Sequence, residues 1–206
     1  MQAARSHEEL FIEFGIWLPR RILYLGSWSN EEEDESAGAR SECGVGWQQA
    51  RNFIPALLLM DRTSDKEIEV HMNTPGGDWH HGMAMFNAIE ACRSHVTIIA
   101  YGEARSMSSI ILQAADEAVL MPDTTVMIHD GHDVVMGIPT SVEAWAAFGK
   151  RVIRPRMYRI YQEAMARRGA KMSVRQIEKL CSHDTLFTAA EAVERGLADR
   201  VLEGGS

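Results

Sequence analysis

The sequence predicts an α/β fold built on a parallel sheet with right-handed crossovers. Three observations carry that expectation. Short, apolar, β-branched runs alternate with segments of helical spacing along most of the chain. Gly and Pro punctuate the boundaries between them. The 206 residues, 46% hydrophobic and 24% charged, suffice to bury a sizeable core without disulfides.

The first ten residues are polar and read as loose chain, and residues 11–18 are apolar but mixed. Residues 21–26 (RILYLG) read as a first strand with a Gly stop. Residues 27–46 contain Glu31, Glu32, Glu33, Asp34 and Glu35, a run that reads as a solvated loop rather than an acidic docking segment. Residues 47–60 have helical spacing, with Trp47, Phe53, Leu57 and Met60 expected to face inward. A short strand at 68–72, a turn at 73–78 and a helix to about Cys92 follow. Residues 96–101 form a short β-branched run that predicts a buried strand, with a turn at 102–106. Residues 107–115 are mostly apolar and predict a buried helix. Two more strands, 118–121 and 125–129, flank Pro122-Asp123. A long helical pattern over 141–168 carries Trp145, Phe148, Val152, Tyr158 and Tyr161, and Pro155 should kink or break it. Thr188 and Glu191 form a capping box for a helix that stops at Gly196.

Several function classes are disfavoured at once. A net charge of −8 and a pI near 5.5 argue against nucleic acid, whose binding relies on clustered Lys and Arg. The longest strongly apolar stretch, 53–60, contains Pro55 and falls far short of the roughly 20 residues needed to span a bilayer. No basic start precedes an apolar stretch, so no signal peptide is expected. The three scattered cysteines, Cys43, Cys92 and Cys181, suit a reducing, cytoplasmic setting.

Three segments place a reactive group at a strand end. In Asn73-Thr74-Pro75-Gly76-Gly77-Asp78, two glycines before a helix expose N–H groups at the positive end of its dipole. That suits an anion or an oxyanion, although Pro-Gly-Gly is also an ordinary turn. In residues 102–109 a buried strand feeds a tight turn, and Ser106 opens a buried helix. The arrangement shares the physics of a nucleophile elbow without the G-x-S-x-G spacing, and a serine there also suits an N-cap. Ser108 and Ser109 fall inside the helix, where their hydroxyls would bond backbone carbonyls. His129, ending an apolar strand, suits a general base or a structural role. Asp130, His132 and Asp133 would also permit a metal site, but these ligands crowd one loop and no second cluster closes it. A serine nucleophile needs a base, and the base an orienting acid. Asp184, ahead of the capped helix, is the best acid candidate, although composition alone does not select it.

Taken together these segments resemble the proteolytic subunit of the Clp ATP-dependent serine protease family. The resemblance runs from about Phe11 to Leu202. Residues 21–26 resemble the family's first strand and 73–77 its glycine-rich oxyanion loop. Residues 102–107 resemble the serine motif, 126–129 the histidine motif, and 184–199 the acid motif with its E-A-x-x-x-G-L-x-D ending. The resemblance implies a ClpP/crotonase-like fold with repeated β-β-α units, a parallel sheet and a protruding handle helix. It implies Ser106 as nucleophile, His129 as base and Asp184 as orienting acid, with the backbone N–H groups of Gly77 and Met107 as oxyanion hole. It divides the chain into an N-terminal segment, 1–19, and a peptidase domain, 20–206. That domain carries an acidic insertion at about 30–46 and a handle region at about 132–172.

The activity so implied is cleavage of unfolded polypeptides by a cytoplasmic endopeptidase. Its chamber would be formed by heptameric rings, single or stacked, served by a separate AAA+ unfoldase. No cofactor or metal is expected, and the chain carries no G-x-x-x-x-G-K-[ST], so ATP hydrolysis would belong to the partner. Several positions depart from the family pattern. Arg105 stands where a small residue is usual, and Asp130 replaces a common glutamine. Ser182 and His183, with Ile138 and Ser141 on the handle, replace the usual ring-to-ring ion pairs, leaving Trp145, Phe148 and Val152 as apolar stacking candidates. Two rivals stand beside this reading. A noncatalytic ring subunit would find its support in Arg105, and an acyl-CoA enzyme of the crotonase type would share the oxyanion loops but need no Ser-His-Asp set.

Overall fold

The structure is a computed structural model that describes residues 5–26, 44–131 and 137–203. The acidic run, Cys43, His132 and Asp133 lie outside the described residues.

The sheet is organised around β4 (Val96–Arg105), whose first half is buried almost throughout, as a strand covered on both faces must be. On one side β3 (Ile68–Thr74) pairs with it in parallel, and β2 (Ile22–Gly26) pairs in parallel with β3. On the other side β5 (Glu117–Leu120) and then β8 (Arg200–Val201) continue the parallel order. The two-residue β1 (Ile16–Trp17) closes the edge antiparallel to β2. Beyond Ala100, β4 leaves β5 and takes a new neighbour, β6 (Thr125–Ile128), with Glu103 opposite Thr125 and Arg105 opposite Met127. The antiparallel β7 (Thr185–Phe187) pairs with β6.

The sheet therefore forks along β4, and Asn73 holds the fork. The β3–β4 register shifts between Met72 and Thr74, and Asn73 Oδ1 accepts the N–H groups of Gly102 (3.0 Å) and Glu103 (3.1 Å). A Cβ at Gly102 would lie 2.9 Å from that oxygen, so any larger residue there would press on the side chain that holds the fork.

Eight α-helices complete the described elements: α1 (His7–Phe14), α2 (Trp47–Thr63), α3 (Trp79–Glu90), α4 (Met107–Ile111), α5 (Pro139–Phe148), α6 (Arg154–Arg167), α7 (Val174–Cys181) and α8 (Ala189–Glu194). All five residues of α4 are buried, so this short helix sits in the core, and a 3-10 turn (Leu112–Ala114) extends it. Among the described residues no helix is long and apolar enough to cross a membrane.

The α/β expectation holds, with several local corrections. The strand predicted as the first is the second, because a two-residue strand precedes it, and both β1–β2 and β6–β7 are antiparallel. The first ten residues are not all loose. Ser6 Oγ accepts the Glu9 N–H and the Glu9 carboxylate accepts the Ser6 N–H, a capping box that starts α1. The predicted turn at 102–106 is strand as far as Arg105, because β6 supplies a ladder partner that the sequence does not advertise. Trp47 is 54% exposed rather than inward. The buried stripe of α2 runs through Ala50, Phe53, Leu57 and Met60, and Trp47 lies about 100° around the helix from its centre at roughly 100° per residue.

Pro155 neither breaks the helix nor ends it. The π-helical turn Gly149–Ile153 joins α5 to α6 just ahead of it and absorbs the hydrogen bond that proline cannot make. Of the predicted helical stripe, Tyr158 and Tyr161 are buried, while Trp145 and Val152 are exposed.

The entry to β4 is fixed by a buried carboxylate. Asp61, in the last turn of α2, accepts the N–H groups of Arg93 and Ser94 at 2.9 Å each. The Ser94 N–H bond does most to hold its pKa below the usual carboxylate range, helped by the Arg93 N–H, the Ser94 hydroxyl and the Arg93 charge. A folded-state pKa below the unfolded one stabilises above the unfolded pKa, and the gain is lost as pH falls through the folded pKa. Asp61→Ala should therefore cost about 1–3 kcal/mol near neutrality. Urea denaturation over a pH series should show the gap to the parent closing on acidification.

Candidate active site

At the end of β4 the backbone turns through Ser106 with φ 51° and ψ −122°. Among the described residues only Arg21 shares a positive φ without being glycine. Such a conformation costs on the order of 1–3 kcal/mol and persists only when its surroundings hold it. Here the Ser106 N–H donates to the Met127 carbonyl at 2.9 Å, continuing the β4–β6 ladder. The Ser106 carbonyl accepts the Ser109 N–H at 3.0 Å and the Ser109 hydroxyl at 2.6 Å. Ser106 stands at the N-cap position of α4 but makes no side-chain cap bond, so its hydroxyl is not engaged in capping, the ordinary role of a serine at this point. Ser108 and Ser109 behave as their helical positions imply. Ser108 Oγ donates to backbone carbonyl oxygen, with Arg105 O at 2.6 Å and Thr74 O at 2.8 Å, and both serines are fully buried.

The strained turn presents its hydroxyl to an imidazole. Ser106 Oγ lies 2.7 Å from His129 Nε2, and His129 Nδ1 lies 2.9 Å from Asp184 Oδ1. A carboxylate only accepts, so Nδ1 carries a proton, and in the neutral form of the imidazole Nε2 is the nitrogen that accepts the serine O–H. The sheet explains the meeting. Arg105 opposite Met127 brings the end of β4 beside the end of β6, and Ile128 opposite Thr185 makes His129 and Asp184 the next pair of the β6–β7 ladder. His129 is largely buried, whereas the Asp184 side chain is 56% exposed.

The glycine loop closes against the same turn. Gly76 and Gly77 have φ of 105° and 147°. A Cβ on Gly76 would stand 2.6 Å from the Arg105 carbonyl oxygen, 2.7 Å from Ser106 Cβ and 2.8 Å from the Met107 nitrogen. A Cβ on Gly77 would stand 2.3 Å from the Val45 carbonyl oxygen. Asp78 follows as the N-cap of α3, its carboxylate accepting the His81 N–H at 2.8 Å. Met107 opens α4, where the first N–H groups have no partner within the helix.

A cleft of about 470 Å³ brings these parts together, with Gly77, Ser106, Met107, His129, Trp145 and Met157 in its lining. Trp145, one of the apolar stacking candidates, is 53% exposed. In the structure it lies over this cleft with its ring edge-on to His80, centroids 6.2 Å apart. Sequence reading missed His80 and the strand that carries Asp184 into place, for which the short T-L-F run after Asp184 was the available signal. Among the described residues no group of three or more His, Cys, Asp or Glu is placed to hold a metal ion.

Comparison with known proteins adds an independent line. Residues 42–205 match the family model described as Clp protease. Two relatives from Dehalococcoides mccartyi, strains BAV1 and CBDB1, are each described as an ATP-dependent Clp protease proteolytic subunit. Each is 26% identical to this chain over 209 residues, covering 98% of it and 92% of the relative.

The glycine geometry yields a direct test. Gly131 also has a positive φ, 83°, but among the described residues nothing lies within 4 Å of where its Cβ would stand. Gly131→Ala should cost only the backbone penalty, about 1 kcal/mol, and Gly76→Ala roughly 1–3 kcal/mol more through the clash with the turn. Urea unfolding of the two variants measures the difference.

Proposed function

The chain belongs to the Clp protease family, and from that membership we propose that it is an active serine endopeptidase with Ser106 as nucleophile, His129 as general base and Asp184 as orienting acid. One observation carries the reading: a hydroxyl held on a strained turn 2.7 Å from an imidazole whose other nitrogen is 2.9 Å from a carboxylate. A structural serine has no need of that conformation, and a crotonase-type enzyme has no need of that chain of three.

In the proposed mechanism His129 Nε2 takes the Ser106 proton as Oγ attacks the scissile carbonyl, and Asp184 stabilises the imidazolium that forms. The N–H groups of Gly77 and Met107 receive the oxyanion, each such donor being worth roughly 2.7–4 kcal/mol in the transition state. His129 then gives the proton to the leaving amine, and water repeats the cycle on the acyl-enzyme. Cleft-wall residues such as Trp145 and Met157 would line the path of an extended, unfolded polypeptide.

Assembly into heptameric rings in the cytoplasm, served by a separate AAA+ unfoldase, is the further part of the proposal. It draws support from the relatives, described as subunits of an ATP-dependent protease. Exposed apolar residues also fit ring contacts, among them Leu58 and Leu59 on α2 and Ile138 at the start of the handle. A noncatalytic subunit remains the second reading only through Arg105.

Labelling, kinetics and sedimentation test these proposals. A fluorophosphonate probe should label the parent protein on Ser106, and Ser106→Ala should lose labelling and lower kcat by a factor on the order of 10⁴–10⁶. Activity should rise with pH along a one-proton limb as the imidazolium gives up its proton, and a flat profile from acid to neutral in intact protein would remove His129 as base. For assembly, sedimentation velocity should show stacked rings that persist in high salt, because apolar contacts are not screened. Ile138→Asp should split them, since an unpaired charge in an interface costs several kcal/mol per copy.

A further inference from the structure

Two tyrosines one turn apart on α6 reach the two halves of the site. Tyr158 donates its hydroxyl to Asp130, the residue after His129, at 2.6 Å. Tyr161 is completely buried, and its hydroxyl lies 2.7 Å from Ser109 Oγ. Ser109 Oγ in turn lies 2.6 Å from the Ser106 carbonyl oxygen.

The direction of these bonds follows from counting protons. A carbonyl only accepts, so the single Ser109 hydroxyl proton goes to Ser106 O, and Tyr161 is then the donor to Ser109. Burial pushes the Tyr161 hydroxyl pKa far up, so it stays a neutral donor at any working pH. A phenylalanine would fill the same space without the cost of burying a hydroxyl.

What the relay holds is one end of a peptide group. The Ser106 carbonyl and the Met107 N–H belong to the same planar unit, and no cis bond occurs among the described residues. Fixing the carbonyl at one end aims the N–H at the other.

We propose that Tyr161 is a positioning residue that acts through Ser109 to orient the Ser106–Met107 peptide, and with it the Met107 N–H, for oxyanion binding. The proposal rests on the reading of this site as a serine peptidase. Neither Tyr161 nor Ser109 touches the substrate in this account. The elbow is strained, and the relay supplies a restraint from a separate helix.

The test uses Tyr161→Phe, Ser109→Ala and the double variant. Each is assayed with a small fluorogenic peptide and with a peptide boronate, which forms a tetrahedral adduct on the nucleophile. Each single change should lower kcat roughly 5- to 20-fold, a fraction of the 10²–10³ typical of losing an oxyanion donor outright, with KM within about twofold of the parent. Boronate affinity should fall by the same factor as kcat, because both depend on the tetrahedral state. The double variant should lose no more than the worse single one, since both break one chain. Should Tyr161→Phe fail to fold, Ser109→Ala decides alone, because it removes the same link without altering α6. Single variants with kcat within twofold of the parent, or a rise in KM at constant kcat, overturn the proposal. A parent protein that neither cleaves peptides nor takes the fluorophosphonate label overturns the serine-peptidase reading, and this inference falls with it.

Discussion

A serine backbone at φ 51° and ψ −122° does not persist unaided, and much of this molecule is arranged to hold it. The restraint comes from three directions. The β4–β6 ladder fixes the Ser106 N–H, α4 and the Tyr161 relay fix its carbonyl, and Gly76 packs where any side chain would strike Ser106 Cβ. Each depends on a larger feature. The ladder needs the fork that Asn73 makes in β4, and α4 can lie in the core because Met107, Ile110 and Ile111 are apolar and the Ser108 and Ser109 hydroxyls are bonded to backbone carbonyls. Gly82 on α3 adds a further fit, since a Cβ there would lie 2.2 Å from Met107 Cγ. The close packing of α3 on α4 therefore belongs to the same constraint.

The fork also explains how residues far apart in sequence meet. His129 and Asp184 are 55 positions apart, and α5, α6 and α7 lie between them. The chain returns as the three-residue β7 beside β6, and that short antiparallel pairing places the carboxylate opposite the imidazole. A second bond steadies the same corner, with the Asp130 N–H donating to the Cys181 carbonyl at 2.7 Å just before the acid's loop. Burial pushes the Cys181 thiol up to about 12, so this cysteine acts as packing rather than as a reactive group.

What was legible in the sequence follows from the range of the forces involved. Period and turn chemistry are local, so the strands at β3, β5 and β6, the buried α4 and the Thr188–Glu191 capping box could be read directly. Ser106 was legible as a strand-to-helix turn, and Ser108 and Ser109 as helix-interior hydroxyls. The strand state of residues 102–105 was not, because it is decided by pairing with β6 rather than by Gly102 and its neighbours. Nor was β7, which is too short for alternation to register and exists through its partner. The inward reading of Trp47 failed on phase, since an aromatic at the first position of a helix reports little about which face is buried.

Arg105 is the residue that most favours a noncatalytic subunit, since a long cation beside the proposed nucleophile would obstruct it if it turned into the cleft. Strand geometry removes that difficulty. Side chains alternate across β4, so Ala104 points into the core at 0% exposure while Glu103 and Arg105 share the opposite face. Arg105 Nε lies 2.6 Å from Glu103 Oε2, and both side chains are roughly 30% exposed. The consequence of this ion pair is placement: the guanidinium is engaged two residues back along its own strand. Among the described residues lining the cleft, Ser106, Met107 and His129 are present and Arg105 is not. The backbone of Arg105 still serves the site, because its carbonyl accepts the Ser108 hydroxyl at 2.6 Å just below the turn. A small residue there would leave that carbonyl in place, and exchanging it for arginine changes only the face of β4 turned from the core.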